Sequence, residues 1–316
     1  MLVTADWPGA GPVVLDGGLA TELERRGHDL NDDLWSARLL RDDPGAIRDV
    51  HLAFFRAGAQ VATTSSYQAS FEGFAAHGLS VGESEALLRA SVRIAREAAD
   101  VAQAEDGVRR VVAASVGPYG AVRADGSEYH GDYGVTDAVL RSFHAPRMEV
   151  LATAGADLLA LETIPSEQEV TVLLGLLGEM PVGTRAWLSV TCADATRTRR
   201  GEDASRVFGL ARGAERAVAV GVNCTAPEHL DRLVPAAVRA SGKPAVAYPN
   251  SGESWDAGRR EWGGDGAGVD PVAALRWVSL GAVLVGGCCR VGADDIARLA
   301  AAVYISSLGD GESAHP

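Results

Sequence analysis

Along the chain, short runs of apolar residues alternate with longer stretches in which apolar positions recur at helical spacing. The apolar runs fall at Val13–Leu15, Gln60–Thr64, Val111–Val116, Leu158–Leu161, Ala186–Thr191, Val218–Val222, Ala245–Tyr248 and Val283–Val285. Most are near-continuous rather than alternating, which is the pattern of parallel strands covered on both faces. Amphipathic segments predict helices over Pro44–Ala57, Glu83–Ala104, Asp137–Ala154, Glu167–Leu177, Pro227–Ala240, Pro271–Leu280 and Ala293–Ser306, with another starting near Ala20. Pro44, Pro227 and Pro271 stand where the fixed backbone of proline suits a first helical turn.

Eight strand–helix alternations with no break in composition predict an α/β fold, a single (β/α)8 TIM barrel. An open, doubly wound sheet is the structural rival. No Gly-x-Gly-x-x-Gly follows the first strand, which removes support from its dinucleotide-binding form. The whole chain, 1–316, is accommodated as one domain, with Gly/Pro/polar ends at 1–11 and 309–316 expected to be loose.

Composition narrows the function classes. There are 29 basic residues against 42 acidic ones, a formal charge of −13, and Lys243 is the only lysine. Nucleic acids and anionic membranes both call for clustered Lys and Arg, so neither is expected as a partner. No apolar run approaches the ~18 residues that read as a membrane span. The first residues lack the charged and apolar regions of a signal peptide, so the expected location is cytoplasmic. Four cysteines in 316 residues do not make a disulfide framework.

In a barrel the chemistry gathers on the loops that follow each strand. Those positions carry Asp16-Gly17-Gly18, Ser65-Ser66-Tyr67-Gln68, Gly117-Pro118-Tyr119-Gly120, Glu162-Thr163, Thr191-Cys192, Asn223-Cys224, Pro249-Asn250-Ser251-Gly252 and Gly286-Gly287-Cys288-Cys289-Arg290. Cys224 and the Cys288-Cys289 pair follow strands 6 and 8, so they can meet at one end of the barrel. A vicinal Cys288–Cys289 disulfide is strained and disfavoured in a reducing setting, which leaves two readings of these cysteines on the residues alone. Three thiolates without a fourth protein ligand make a Zn²⁺ site with an open position, as catalysis uses; alternatively, each is a buried core thiol. Cys192 has no second cysteine beside it and reads as a bystander. Asp16 and Glu162 end apolar runs, where a carboxylate needs a partner. They suit either a cationic substrate group or a structural hydrogen bond to a neighbouring loop. Gly17-Gly18 reads as a tight turn whose N–H groups are free to hold a carboxylate. The loop from Tyr119 to Gly134 is long and aromatic, fitting either a lid or a surface excursion. No His-x₃-His spacing occurs, and His51 and His144 read as packing or capping residues on helices.

Taken together, Leu15-Asp16-Gly17-Gly18-Leu19-Ala20-Thr21-Glu22-Leu23, Ser66-Tyr67-Gln68, Ser115-Val116-Gly117-Pro118-Tyr119-Gly120, Glu162-Thr163-Ile164-Pro165, Gly221-Val222-Asn223-Cys224, Tyr248-Pro249-Asn250-Ser251-Gly252-Glu253 and Gly286-Gly287-Cys288-Cys289-Arg290 resemble the homocysteine S-methyltransferases. The resemblance runs from about Val13 to Leu308, with the motifs in the family's order. The segment Asp125-Gly126-Ser127-Glu128-Tyr129 with Gly131-Asp132-Tyr133 is similar to the branch that uses S-methylmethionine or S-adenosylmethionine.

The resemblance implies a (β/α)8 barrel that binds Zn²⁺ through Cys224, Cys288 and Cys289. It implies small-molecule substrates, homocysteine and a sulfonium methyl donor, with methionine as product. Asp16 and Glu162 would hold the homocysteine ammonium, and backbone around Gly17, Gly18 and Ser65 its carboxylate. Tyr67, Asn223 and Asn250 match positions near the metal. Arg199-Arg200-Gly201-Glu202, within the loop Arg197–Asp203, departs from the Asp-Gly turn common in relatives and concerns the donor side. S-methylmethionine is the donor expected first and S-adenosylmethionine second. Betaine as donor and selenohomocysteine as acceptor are the alternatives within the family. A zinc hydrolase on the same barrel is the rival enzyme, and a zinc-storage or thiol-binding protein the rival outside enzymes.

Overall fold

The computed structural model describes residues 11–30, 36–123, 127, 130–256, 261–263 and 266–309. Eight strands form one sheet: β1 (Val13–Val14), β2 (Val61–Thr63), β3 (Val111–Val116), β4 (Leu158–Ile164), β5 (Ala186–Val190), β6 (Ala217–Asn223), β7 (Ala245–Tyr248) and β8 (Ala282–Val285). Each strand pairs in parallel with its sequence neighbour from β2 to β8, and β8 pairs with β1 through Val13↔Leu284 and Val14↔Val285. The remaining seam, between β1 and β2, is joined by the parallel bridge Leu15↔Val61. There the Asp16 N–H donates to the Val61 carbonyl at 3.0 Å and the Gln60 N–H to the Val14 carbonyl at 2.8 Å. The sheet thus closes on itself, as the eight alternations predict, and the open doubly wound rival is excluded.

Side chains alternate across the strands, which divides the core in two. Val13, Leu15, Val61, Val111, Trp187, Val246, Tyr248 and Leu284 fill the barrel interior, while Val14, Leu188 and Val285 join the larger cluster between strands and helices. Trp187 and Tyr248 meet edge-to-face inside the barrel, with ring centroids 6.2 Å apart. Both rings carry a polar atom, so the interior is not wholly apolar where it approaches the mouth.

The predicted helices are present with modest shifts. Pro44–Arg56 is capped by Asp43, whose carboxylate accepts the Ala46 N–H. Val81–Asp106 begins with a reciprocal Ser80/Glu83 capping box and ends at Gly107 in the left-handed region. The segment after Pro227 begins as a single 3-10 turn and becomes α-helical only over Leu230–Ser241. Short helices at Phe71–Ala76 and Ala204–Gly209, and an antiparallel ribbon pairing Ser254–Asp256 with Glu261–Gly263, have no counterpart in the periodicity. They are too short to establish a period. Residues 1–10 and 310–316 of the expected loose ends, and Asp125, Gly126, Glu128 and Tyr129 of the long loop, lie outside the described residues.

Candidate active site

The C-terminal ends of the strands converge on one cavity, lined among others by Gly17, Ser65, Tyr67, Glu162, Cys224, Cys288 and Cys289. The cysteines arrive from two strands. Cys224 follows β6 directly, while Cys288 and Cys289 sit on the turn after β8. That turn packs on the end of β1: a Cβ at Gly286 would stand 2.6 Å from the Leu15 Cβ and 2.9 Å from the Asp16 carbonyl oxygen. Only glycine lets the two backbones approach so closely. Backbone hydrogen bonds from Cys288 N–H to the Pro249 carbonyl at 2.7 Å and from Ser251 N–H to the Cys289 carbonyl at 3.1 Å pin the turn to the loop after β7.

The three sulfurs lie within 4.8 Å of one another, and Cys224 Sγ is 3.6 Å from Cys289 Sγ. A disulfide would bring two sulfurs to ~2.05 Å. Thiolates at ~2.3 Å around one tetrahedral ion stand about 3.8 Å apart, so this spacing fits a shared metal. Contact with the Cys224 thiol, together with burial, pushes the Cys288 and Cys289 thiols well above their ordinary range. A divalent cation at the centre reverses that preference by favouring the thiolates. The donor set therefore suits a metal, and the reading of three inert core thiols accounts for neither the convergence nor the spacing. Cys192 stands apart from the cluster; it is buried, and burial pushes its thiol up to about 12.

Three residues other than glycine have positive φ among the described residues: Thr163 at 61°, Cys224 at 47° and Arg290 at 66°. They follow Glu162 near the end of β4, Asn223 at the end of β6 and Cys289 on the turn after β8. Left-handed backbone costs a non-glycine residue about 1–3 kcal/mol, and such strain concentrates where a site fixes side-chain direction. At Thr163 the strain is held by Asn223. The Asn223 Oδ1 accepts the Thr163 N–H at 2.7 Å, and its Nδ2 donates to Thr163 Oγ1 at 2.7 Å. The same Nδ2 lies 3.9 Å from Cys288 Sγ, so Asn223 joins the carboxylate side of the cavity to the sulfur side.

Glu162 is buried, with Oε1 accepting from the Ser115 hydroxyl and Oε2 lying 2.9 Å from the Tyr248 hydroxyl. Burial pushes its carboxyl up to about 7, against the Ser115 and Tyr248 contacts that favour the charge. Asp16 is also buried, and its oxygens are taken by Thr63: the N–H donates at 2.8 Å and the hydroxyl at 2.9 Å. Burial raises the Asp16 carboxyl well above its ordinary value, the Thr63 bonds oppose this, and the nearby Glu162 adds to it.

The residues expected at the site divide into three groups. Gly17, Gly18, Ser65, Tyr67 and Glu162 line the cavity with the three cysteines, whereas Asp16 and Asn223 stand behind its wall. Asn250 faces its own loop, with Oδ1 accepting the Gly252 N–H at 3.1 Å. The expectation of two free N–H groups at Gly17-Gly18 needs correction, because the Gly18 N–H already donates to the Val291 carbonyl at 2.9 Å. Ser65 offers what that turn does not: its hydroxyl is buried at the cavity and has no partner among the described residues. The loop Arg197–Asp203 closes on itself through the Arg197↔Asp203 bridge, and Arg200 pairs with Asp132 at 3.1 Å, away from the cavity lining.

Thr63 and Ser189 were not singled out from the sequence, and Ser115 and Tyr248 stand in its motifs without a role, yet the four hold the two carboxylates and Asn223. Their signal is a polar group inside an apolar strand run, which in a closed barrel points either into the interior or at the mouth. Trp187 belongs with them, because its indole N–H donates to the Tyr248 hydroxyl at 3.0 Å.

Comparison with known proteins agrees with this geometry. The profile of the homocysteine S-methyltransferase family matches residues 13–303. Homocysteine S-methyltransferase 4 of Zea mays is 46% identical over 313 residues, covering 95% of this chain and 92% of that protein. Homocysteine S-methyltransferase YbgG of Bacillus subtilis is 44% identical over 295 residues, covering 92% and 93%. Among solved structures, the homocysteine methyltransferase MmuM from Escherichia coli in its metallated form superposes with a TM-score of 0.83 at 43% identity, covering 92% of this chain and 96% of that one. With a barrel of the same shape and sequence likeness over nearly its whole length, this chain belongs to the homocysteine S-methyltransferase family and is a methyltransferase.

Proposed function

We propose that the protein transfers a methyl group from a sulfonium donor, S-methylmethionine or S-adenosylmethionine, to the sulfur of L-homocysteine, with a Zn²⁺ held by Cys224, Cys288 and Cys289. The observation that carries this reading is that the three-sulfur cluster and the Glu162 carboxyl line one cavity. An amino acid bound there by its ammonium group can direct a thiol side chain at the sulfurs. When bound, Zn²⁺ lowers the pKa of the homocysteine thiol, which in water titrates at ~8.5 or above, so that the sulfur is a nucleophile at neutral pH.

The chain's own residues then bind and orient. Glu162 receives the ammonium, with Asp16 as a second negative charge behind Thr63. The Ser65 hydroxyl, without a partner among the described residues, is placed to donate to the substrate carboxylate, beside the backbone of Gly17 and Gly18. Asn223, donating toward Cys288 Sγ, fixes the direction of one sulfur and holds the strained Thr163 turn. Tyr67 walls the cavity and helps to exclude water. Asn250 shapes the loop that supports the cysteine turn. No side chain is required as general acid or base for the departing group, because a sulfonium donor leaves as a neutral thioether. Rate then depends on alignment of donor methyl and acceptor sulfur in a dry site. Three thiolate ligands leave a metal electron-rich and a weak activator of water, which disfavours the hydrolase alternative.

The test incubates the metal-loaded protein with L-homocysteine and, separately, S-methylmethionine, S-adenosylmethionine and betaine, and follows methionine. Turnover with a sulfonium donor and none with betaine is expected. Turnover with betaine alone, or with no donor, would overturn the reading.

A further inference from the structure

From the cavity wall inward, Glu162 and Tyr248, which line the cavity, join Ser115, Ser189, Asn223 and Trp187 in a continuous polar chain through the top of the barrel. Its contacts are Trp187 Nε1 to Tyr248 hydroxyl at 3.0 Å, Tyr248 hydroxyl to Ser189 Oγ at 2.7 Å, Ser189 Oγ to Asn223 Oδ1 at 2.6 Å, Tyr248 hydroxyl to Glu162 Oε2 at 2.9 Å, and Ser115 Oγ to Glu162 Oε1. Each contact needs one hydrogen between its two heavy atoms. The identity of the Asn223 oxygen is fixed, because that atom accepts the Thr163 backbone N–H while Nδ2 faces Thr163 Oγ1. It can only accept from Ser189.

Counting hydrogens then gives a definite result. Trp187, Tyr248, Ser189 and Ser115 supply one hydrogen each, so the five contacts have four hydrogens between them. Ser189 spends its hydrogen on Asn223, so the Ser189–Tyr248 contact requires the Tyr248 hydrogen. The Tyr248–Glu162 contact is then left with none unless the carboxyl supplies it. Ser189 and Asn223 are fully buried, and at 2.9 Å no water fits between Tyr248 and Glu162, so water does not complete the set. The count involves no cysteine hydrogen and holds with or without a metal.

We infer that Glu162 carries a proton in the empty site, donated from Oε2 to Tyr248, and that an arriving amino-acid ammonium expels this proton. On expulsion the proton leaves through the cavity that Glu162 lines, and the Tyr248 hydrogen turns from Ser189 to the new carboxylate. Ser189 and Tyr248 are thus positioning residues that couple the charge of the ammonium site to its occupancy. The groups around Glu162 agree on geometry: it contacts the Ser115 and Tyr248 hydroxyls, Asp16 after β1 and the sulfur of the proposed ligand Cys288 after β8 stand nearby, and no basic side chain is paired with it among the described residues. An empty cavity is spared a second buried negative charge, and the charge forms only when its counter-ion is present.

This inference rests on the proposal that Glu162 binds the substrate ammonium. Its test uses L-methionine, which keeps the ammonium and carboxylate but has no thiol proton to release. Calorimetry of the metal-loaded enzyme in buffers of different ionisation enthalpy should show close to one proton released per methionine bound at about a pH unit below the midpoint of release, and little at about a pH unit above it. In Ser189→Ala the Tyr248 hydrogen is free for Glu162, so the midpoint of release should fall by about one pH unit, the order set by one buried hydrogen bond gained by the ionised form. The wild-type enzyme also gives a second readout, an infrared band of a neutral carboxyl that methionine abolishes. Methionine binding without proton release and without that band overturns the inference alone. So does release whose midpoint Ser189→Ala leaves in place. Absence of methionine binding at every pH overturns the amino-acid reading beneath it.

Discussion

Cys224 Sγ lies 3.6 Å from Cys289 Sγ although 65 positions separate the two residues in the chain. The relationship is made by the barrel: β7 lies between β6 and β8, and the backbone hydrogen bond from Cys224 N–H to the Tyr248 carbonyl at 3.2 Å ties the first cysteine to that intervening strand. Because no single loop carries the cluster, its geometry depends on the register of three strands.

On the proposed metal site, loss of one sulfur should therefore remove the ion rather than loosen it. Loss of a supporting partner beyond the ligands costs about 10–100-fold in metal affinity, and loss of a ligand should exceed the upper figure. Cys288→Ser is expected to lose its metal on dialysis and to fall by more than about 100-fold in affinity in chelator competition, with methyl transfer lost in parallel. Retention of one metal per chain with full transfer would remove Cys288 from the site.

Gly221 tests the dependence on strand register. It lies on β6, where an added Cβ would stand 1.9 Å from the Val246 carbonyl oxygen of β7. Backbone atoms cannot swing aside as a flexible side chain can, so Gly221→Ala must push the two strands apart. Overpacking of this kind costs about 1–3 kcal/mol, which urea denaturation reads as a lower midpoint. Since Cys224 follows on the same strand, metal affinity should fall too. An alanine variant with unchanged midpoint and unchanged metal affinity would show that register is not what sets the cluster.

Much of this was legible in the sequence because burial on both faces writes strands as plain apolar runs, and all eight runs lie in the barrel. The cysteines were readable for the same reason: once strands 6 and 8 were placed, chain direction put Cys224, Cys288 and Cys289 at one end. Ser115, Ser189 and Tyr248 were harder. They belong to strand runs whose periodicity says nothing about which interior hydroxyl reaches a carboxylate on another strand. The positive φ of Thr163 and Cys224 was equally hidden, since neither is a residue type that advertises left-handed backbone. The engaged Gly18 N–H depended on Val291, a partner distant in sequence.

Asp16 and Glu162 should be separable by kinetics. Asp16→Asn keeps the shape and an oxygen that accepts the Thr63 N–H but removes the charge, so the barrel should fold normally. Asp16 would act on the ammonium as a charge behind Thr63 rather than through a hydrogen bond of its own, and such an attraction across one side chain is worth on the order of 1–2 kcal/mol, which predicts a rise in KM for homocysteine of roughly 5- to 30-fold. The KM for the methyl donor should change much less. Equal increases for both substrates would show that Asp16 supports the whole cavity rather than the ammonium position.

His51 sets a limit on acid stability far from the chemistry. It lies on the helix Pro44–Arg56, fully buried, with neither ring nitrogen partnered among the described residues. Burial disfavours the imidazolium and pulls its pKa down from 6.5 to about 4. The unfolded chain therefore binds a proton that the folded one refuses between those values, so stability rises with pH across that window and is lost as pH falls from 6.5 toward 4. A shift of this size corresponds to a loss of about 3 kcal/mol once the pH is below the window. His51→Leu removes the titrating group while keeping an apolar side chain in the same packing. The comparison to make is the urea midpoint of each protein at several pH values, because carboxylates and metal release act on both and cancel in the difference. The wild type should lose its midpoint more steeply than the variant below pH 6.5, and the two curves should run parallel above it. Parallel curves throughout would mean that His51 accepts its proton without cost in the fold.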